Sequence, residues 1–289
     1  MSVLYFLAQT LRIAIPYLFA AAGGTLAERA GVVSLTLEGF LLGGAFGAVL
    51  GAHFGDSAWL GIGAAIASGL ALGGLSALAA VRFRADQIVA GVALNLFVAG
   101  LARFLLQLFF GSSSNSPRVA GFEGASAADL AANPLVWLGL AALPLVGFVL
   151  AQTRFGLRVR AAGEHPEAAR SVGVPVARVR TLAVLASGVL AALGGAFLVL
   201  DQHQFTDGMS GGRGFIALAA VIFGRWQPLR AGIACLFFAA AETLQIQLQT
   251  LHWLPSQLVA AIPYLLTIVA LVGLVGRSVA PSALGRAEE

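Results

Sequence analysis

Nine apolar runs, at about 3–22, 31–51, 57–81, 87–110, 135–151, 181–200, 214–224, 229–250 and 258–276, leave this chain little polar surface with which to face water. Of its 289 residues, 59% are hydrophobic and 10% charged, and the mean hydropathy is +0.90. A soluble domain is near half apolar and a quarter charged, so this chain cannot cover a core in water. At about 20 residues per crossing, the runs suffice for about eight or nine transmembrane helices. The 36 glycines fit the same class, because membrane helices use Gly to bring backbones close. The fold expected is an all-α polytopic membrane protein, with residues 1–289 forming a single transmembrane domain.

All 17 basic residues are Arg, and the chain has no Lys. A P-loop needs GxxxxGK[ST], so this chain cannot carry one, and Schiff-base chemistry is excluded with it. Cys235 is the single cysteine, which excludes an internal disulfide and a multi-cysteine metal site. His53, His165, His203 and His252 show no metal-ligand spacing. A net charge of +4 could suggest nucleic acid, but the arginines gather in short loops between apolar runs, which is the pattern of membrane topology. Six of them lie in 152–180, which assigns that loop to the cytoplasm together with Arg82 and Arg84, Arg225 and Arg230, and the 277–289 tail. Segments 111–134, 201–213 and 251–257 then lie outside. The first run lacks a charged n-region and reads as a retained helix, not a signal peptide.

Run 214–224 is short for a crossing, since about eleven helical residues rise only about 16 Å, roughly half a bilayer core; it either extends to Trp226 or is a broken, re-entrant piece. It reads as a short or broken helix, with the glycines of Gly208-Met209-Ser210-Gly211-Gly212-Arg213-Gly214 before it. A weak repeat links Gln87-Ile88-Val89-Ala90 to Gln257-Leu258-Val259-Ala260. Each follows a Gly/Ala-rich helix and, before that, a glycine-punctuated segment. The two units start on opposite sides by the arginine count, so the repeat is expected to be inverted, as in many transporters.

Polar groups inside apolar runs are costly and mark candidate sites. Glu38 lies within Ser34-Leu35-Thr36-Leu37-Glu38-Gly39, either lining a pathway or accepting hydrogen bonds that lock helices; a buried pair with an Arg is the structural alternative. Asn95 is similarly placed, and a tie between helices is its simpler role. Glu242, Gln245 and Gln249, at i, i+3 and i+7, form a polar stripe that must face a cavity or another helix. These five are the candidate transport-pathway residues. Trp59, Trp137, Trp226 and Trp253 lie near run ends, as an interfacial belt would place them. No acid–base dyad, GxSxG or Ser/His/Asp order stands out, which disfavours an intramembrane enzyme.

In the long loop, Gly163-Glu164-His165-Pro166-Glu167-Ala168-Ala169-Arg170-Ser171-Val172-Gly173 has Pro166 placed for a first helical turn and Gly173 as a stop. Four stretches resemble one family: Gly31-Val32-Val33-Ser34-Leu35-Thr36-Leu37-Glu38-Gly39-Phe40, residues 91–100 with Asn95, residues 153–173 continuing into Ser187-Gly188, and Gly212-Arg213-Gly214-Phe215 on to Trp226. The chain resembles the permeases of ABC importers for simple sugars, nucleosides and branched-chain amino acids, particularly the shorter nucleoside or simple-sugar subunit. The family often has Asn where Ser34 stands. The resemblance implies a bacterial plasma-membrane subunit without cofactor of its own. It also implies a partner ATPase that carries ATP and Mg, a second homologous permease and an extracellular substrate-binding lipoprotein. The loop residues matching the coupling helix are Gly163, Glu164, His165, Glu167, Ala168, Ala169 and Gly173. A proton-coupled carrier working alone through Glu38 or Glu242 is the alternative of a different class.

Overall fold

The computed structural model describes residues 3–122, 130, 132–249 and 279–286. In chain order the helices are α1 (Val3–Arg29), α2 (Leu37–Gly55), α3 (Ala58–Ala77, widening into a π turn at Leu78–Arg82), α4 (Gln87–Phe110), α5 (Pro134–Gln152), α6 (Arg154–Glu164), α7 (Pro166–Ser171), α8 (Val176–Gln202), α9 (Arg213–Phe223) and α10 (Pro228–Gln249). Among the described residues, seven helices are long and apolar enough to cross a membrane: α1 to α5, α8 and α10. The short α9 is the eighth apolar helix. The run at 258–276, the Gln257 half of the repeat match and Trp253 lie outside the described residues.

Central α8 packs on α1, α2 and α3 through small residues, as expected where lipid removes the hydrophobic drive for helix association. A Cβ added at Gly195 would sit 1.9 Å from the Leu41 carbonyl oxygen, and one at Gly44 would sit 2.3 Å from the Ala192 Cα. Gly69 and Gly188 meet in the same way across α3 and α8. The α4 helix contrasts with these: it buries Val98, Ala102 and Leu106 but exposes Leu96, Phe97, Phe104 and Leu108. Gly195→Val should therefore drive α8 off α2, at a cost on the order of 3 kcal/mol. Size-exclusion profiles and thermal unfolding of purified protein should show that loss. Gly63→Val, where nothing lies within 4 Å, should behave as wild type; equal behaviour of the two variants would contradict this packing.

Most of the described arginines gather at one end of the bundle. Helices α3 and α8 run antiparallel, so Gly73 faces Leu185 and the α3 end at Arg82 lies beside Arg178. At that same end Arg29 Nε donates to the Trp226 carbonyl (2.8 Å), and Arg180 Nε to the Ala30 carbonyl (3.1 Å). At the opposite end, segment 114–119 pairs with 203–207. Ser116 N–H donates to the Phe205 carbonyl (3.0 Å), and Asp207 N–H to the Ser114 carbonyl (2.8 Å). Arg12 and Asp201 pair there at 3.3 Å, and Arg103 with Asp207 at 2.6 Å. Arg103 thus ties α4 to the segment after α8.

Candidate functional site

Run 31–51 is not one helix. Gly31 takes a left-handed φ of +92°, and the chain stays non-helical until α2 begins at Leu37. In this stretch Ser34 Oγ donates to the Gly24 carbonyl (3.3 Å), so the chain has turned back beside α1, about 7 Å inside its end. Non-helical backbone at such depth survives only if its polar groups are satisfied by protein. They are satisfied by side chains. Ser34 N–H donates to Glu28 Oε1 (3.2 Å) and Val33 N–H to Gln87 Oε1 (2.8 Å). Asn95 does two jobs, donating through Nδ2 to the Leu35 carbonyl and accepting at Oδ1 from Gly39 N–H, both at 2.8 Å. The latter is one of the first-turn donors that a helix start leaves open. Asn95 therefore holds the bent segment and caps α2.

A second bent segment mirrors the first. His203 ends α8 in a left-handed conformation, and Gly208, Gly211 and Gly212 take positive φ before α9 starts at Arg213. The sequence places 201–213 in an outer loop, but its last residues reach Glu38. The Glu38 carboxylate accepts from Gly212 N–H at 2.9 Å and from Gly214 N–H at 2.7 Å. It stands in the first turn of α2 as well, so the positive ends of two helix dipoles converge on one negative charge. Gly214 is required by this approach, since a Cβ there would lie 2.3 Å from the Glu38 nitrogen.

Next to this joint, Arg213 Nη2 reaches Glu242 Oε1 at 3.3 Å, and Tyr17 OH donates to Glu242 Oε2. Arg213 Nη1 also donates to the Met209 carbonyl (3.0 Å). The ion pair is about three-quarters buried, with side-chain exposures of 21% and 26%. Charges so placed need their hydrogen bonds, because removing one partner strands the other. Tyr17 from α1, Glu38 from α2, Asn95 from α4, Arg213 from α9 and Glu242 from α10 thus form one polar region within the bundle. Of the predicted stripe, Gln245 is half-buried and Gln249 exposed, leading from Glu242 to the end opposite the arginines. Tyr17 and Arg213 are the members that sequence reasoning missed: a lone Tyr in an apolar run reads as packing, and Arg213 sits in a glycine-rich stretch that reads as loop.

At the arginine-rich end, the helix expected to open at Pro166 and stop by Gly173 is α7, whereas Glu164 belongs to the end of α6. His165, with φ −140° and ψ 77°, breaks α6 from the six-residue α7. Glu164, His165, Glu167, Ala168 and Gly173 are exposed, but Gly163 and Ala169 are not available to a partner. Ala169 is 4% exposed and packs inward, and a Cβ on Gly163 would sit 2.1 Å from the Arg29 carbonyl oxygen. Their small size serves contacts within the chain. Val172, at 78% exposure, is the apolar tip of the segment. Residues 281–286 strap this end: Ala283 N–H donates to the Gly163 carbonyl (2.9 Å) and Ser282 Oγ to the Glu164 carbonyl. Trp226 belongs to the same knot and not to an interfacial belt. It is buried and donates through Nε1 to Glu28, whereas Trp59 and Trp137 are exposed. Arg225 and Trp226 both hold left-handed φ, a strain of about 1–2 kcal/mol each that the Glu28 and Arg29 contacts offset.

This arrangement has the fold of an ABC transporter membrane subunit. A solved inward-facing transporter, described as of the metal-chelate ABC type, superposes with a TM-score of 0.52 over 93% of this chain and 85% of its own, at 18% identity. The chain belongs to the branched-chain amino acid transport system / permease component family, whose model matches residues 6–271. It is 38% identical to the guanosine ABC transporter permease protein NupQ of Bacillus subtilis (strain 168), over 96% of this chain and 93% of that one. It is 34% identical to the nucleoside ABC transporter permease protein NupC of Lactococcus lactis subsp. cremoris, over 93% and 92%. The glucose ABC transporter permease protein TsgB13 of Haloferax volcanii matches at 27% over 89% and 73%. The chain is thus a permease subunit of an ABC importer and a multi-pass protein of the inner membrane.

Proposed function

We propose that this permease forms half of the translocation path of a nucleoside importer, with the path running along the α10 stripe to the Arg213–Glu242–Tyr17 cluster. The solute class rests on NupQ and NupC, whose similarity covers nearly the whole chain. ATP hydrolysis comes from a separate ATPase subunit, since a Lys-free chain has no P-loop. A second permease completes the path, and an extracellular lipoprotein delivers solute. The reading is supported over a self-sufficient proton carrier by the state of the two carboxylates: Glu38 is held by two N–H groups and Glu242 by Arg213 and Tyr17. Proteoliposomes holding the assembled importer and ATP should accumulate labelled guanosine at least tenfold over glucose. Uptake by this chain alone on a proton gradient would refute the assignment.

The arginine-rich end is placed in the cytoplasm by the positive-inside rule. Glu167→Cys, in a background where the buried Cys235 is Ala, should stay unlabelled by impermeant maleimide in intact cells and label within minutes after permeabilisation. Rapid labelling in intact cells would invert the topology.

A further inference from the structure

We infer that the groove between α3 and α8 at the arginine-rich end is a binding site for an anionic glycerophospholipid. The two helices touch at Gly69 and Gly188 and at Gly73 and Leu185, then part. At Gly74 a Cβ would meet nothing nearer than 4.0 Å, and beyond it α3 widens into its π turn. There Phe83 N–H donates to the Leu78 carbonyl at 2.8 Å, and Ala85 N–H to the Ala79 carbonyl at 3.0 Å. These bonds hold Arg84 in a left-handed conformation with φ 54°, uncommon for a non-glycine residue. π turns inside helices are frequent at functional positions.

The result is a groove of about 860 Å3, with Gly74, Leu78 and Leu182 along an apolar trough and Arg82, Arg84 and Arg178 at its rim. Leu78 and Leu182 are each about half exposed. The rim carries one sign of charge, and no carboxylate lines the groove. None of the three arginines forms an ion pair with a described residue. The nearest acid in sequence, Asp86, is occupied at the start of α4, where it accepts from Ile88 and Val89 N–H at 2.9 and 3.0 Å.

Two chemistries are therefore demanded at once. The trough between two membrane-spanning helices takes an alkyl chain, and three guanidiniums at the helix ends take an anion with planar, bidentate geometry such as phosphate. That depth is the headgroup layer, where basic pockets between helices recognise anionic lipids. A zwitterionic lipid brings its own ammonium to the arginines and is the poorer ligand. The acidic surface of a partner subunit would match the charges but leave the trough uncovered.

The test uses the detergent-purified importer, incubated with equal amounts of phosphatidylglycerol and phosphatidylcholine and read by native mass spectrometry. Wild type should retain phosphatidylglycerol at least tenfold over phosphatidylcholine. The triple variant Arg82→Gln, Arg84→Gln, Arg178→Gln should lose that retention about tenfold. Leu182→Trp fills the trough while keeping all three charges, so it should also expel the lipid, and it decides the matter if the triple variant aggregates. Unchanged phosphatidylglycerol retention in Leu182→Trp and in a monodisperse triple variant overturns the inference. So does loss of the ATPase subunit from the triple variant with lipid retention intact, which would make the arginines a protein-docking surface.

Discussion

Val172→Glu is expected to strip the ATPase subunit from the purified importer. Val172 is a large apolar residue on the exposed tip after α7, at an end of the molecule otherwise rich in charge. A buried apolar contact at the centre of a subunit interface typically contributes on the order of 2 kcal/mol, or about 30-fold in affinity. A carboxylate introduced there would also have to be desolvated on docking. Ala168→Trp should act in the same direction through bulk, because Ala168 is exposed on the same segment. Glu167→Gln should change little, as rim charges usually contribute under about 1 kcal/mol. Co-purification of the ATPase, together with solute-stimulated hydrolysis, reads all three. Wild-type association in Val172→Glu would remove this segment from the interface. Ala169 is no substitute in this test: it is buried, so a bulky replacement would disturb the chain itself.

Glu38→Ala should lower thermal stability and transport together. The substitution strands the Gly212 and Gly214 N–H groups at the start of α9, each at a cost of about 1–3 kcal/mol when buried. At a few degrees per kcal/mol, the unfolding temperature should fall by about 5 °C or more. Uptake should fall at least tenfold, since α9 carries Arg213 and its place beside Glu242. Glu38→Gln should lie between wild type and Ala: the amide oxygen still accepts one N–H, while its NH2 opposes the other. A residue that only contacted solute would behave differently, losing uptake with stability unchanged. That pattern in Glu38→Ala would contradict the role assigned here.

Much of this was legible from one consideration, the expense of a polar group within an apolar run. That singled out Glu38, Asn95 and Glu242, which the folded chain brings to one region. The same reasoning could not find their partners. Arg213 lies among glycines, and only the folded chain shows that 208–212 leads from the end of the bundle opposite the arginine-rich one to meet Glu38. For several described runs the helix limits followed the apolar pattern, but α1 continues past 22 to Arg29, α8 starts at Val176 and not at 181, and at 31–36 Gly31 and the side-chain bonds of Glu28, Gln87 and Asn95 keep the backbone non-helical. Small residues were the ambiguous class. Gly163 and Ala169 could equally admit a partner or another part of the same chain, and composition does not distinguish the two. For Gly163 the answer is the Arg29 backbone, a contact more than a hundred positions distant in sequence.

The Glu38 joint also sets an order for biogenesis. Its carboxylate is synthesised 174 residues before the Gly212 N–H that it accepts. At 5–20 residues per second, roughly 10–35 s pass before that donor exists. Throughout this interval α2 has already been made, with a bare charge in its first turn and no α9 to receive it. Such a helix is a poor candidate for early release into lipid. The first half should therefore linger beside the insertion machinery or a lipid-shielding chaperone until the glycine-rich segment emerges. Ribosome-stalled chains ending before residue 212 should crosslink to that machinery through α2, and chains extended well past 224 should not.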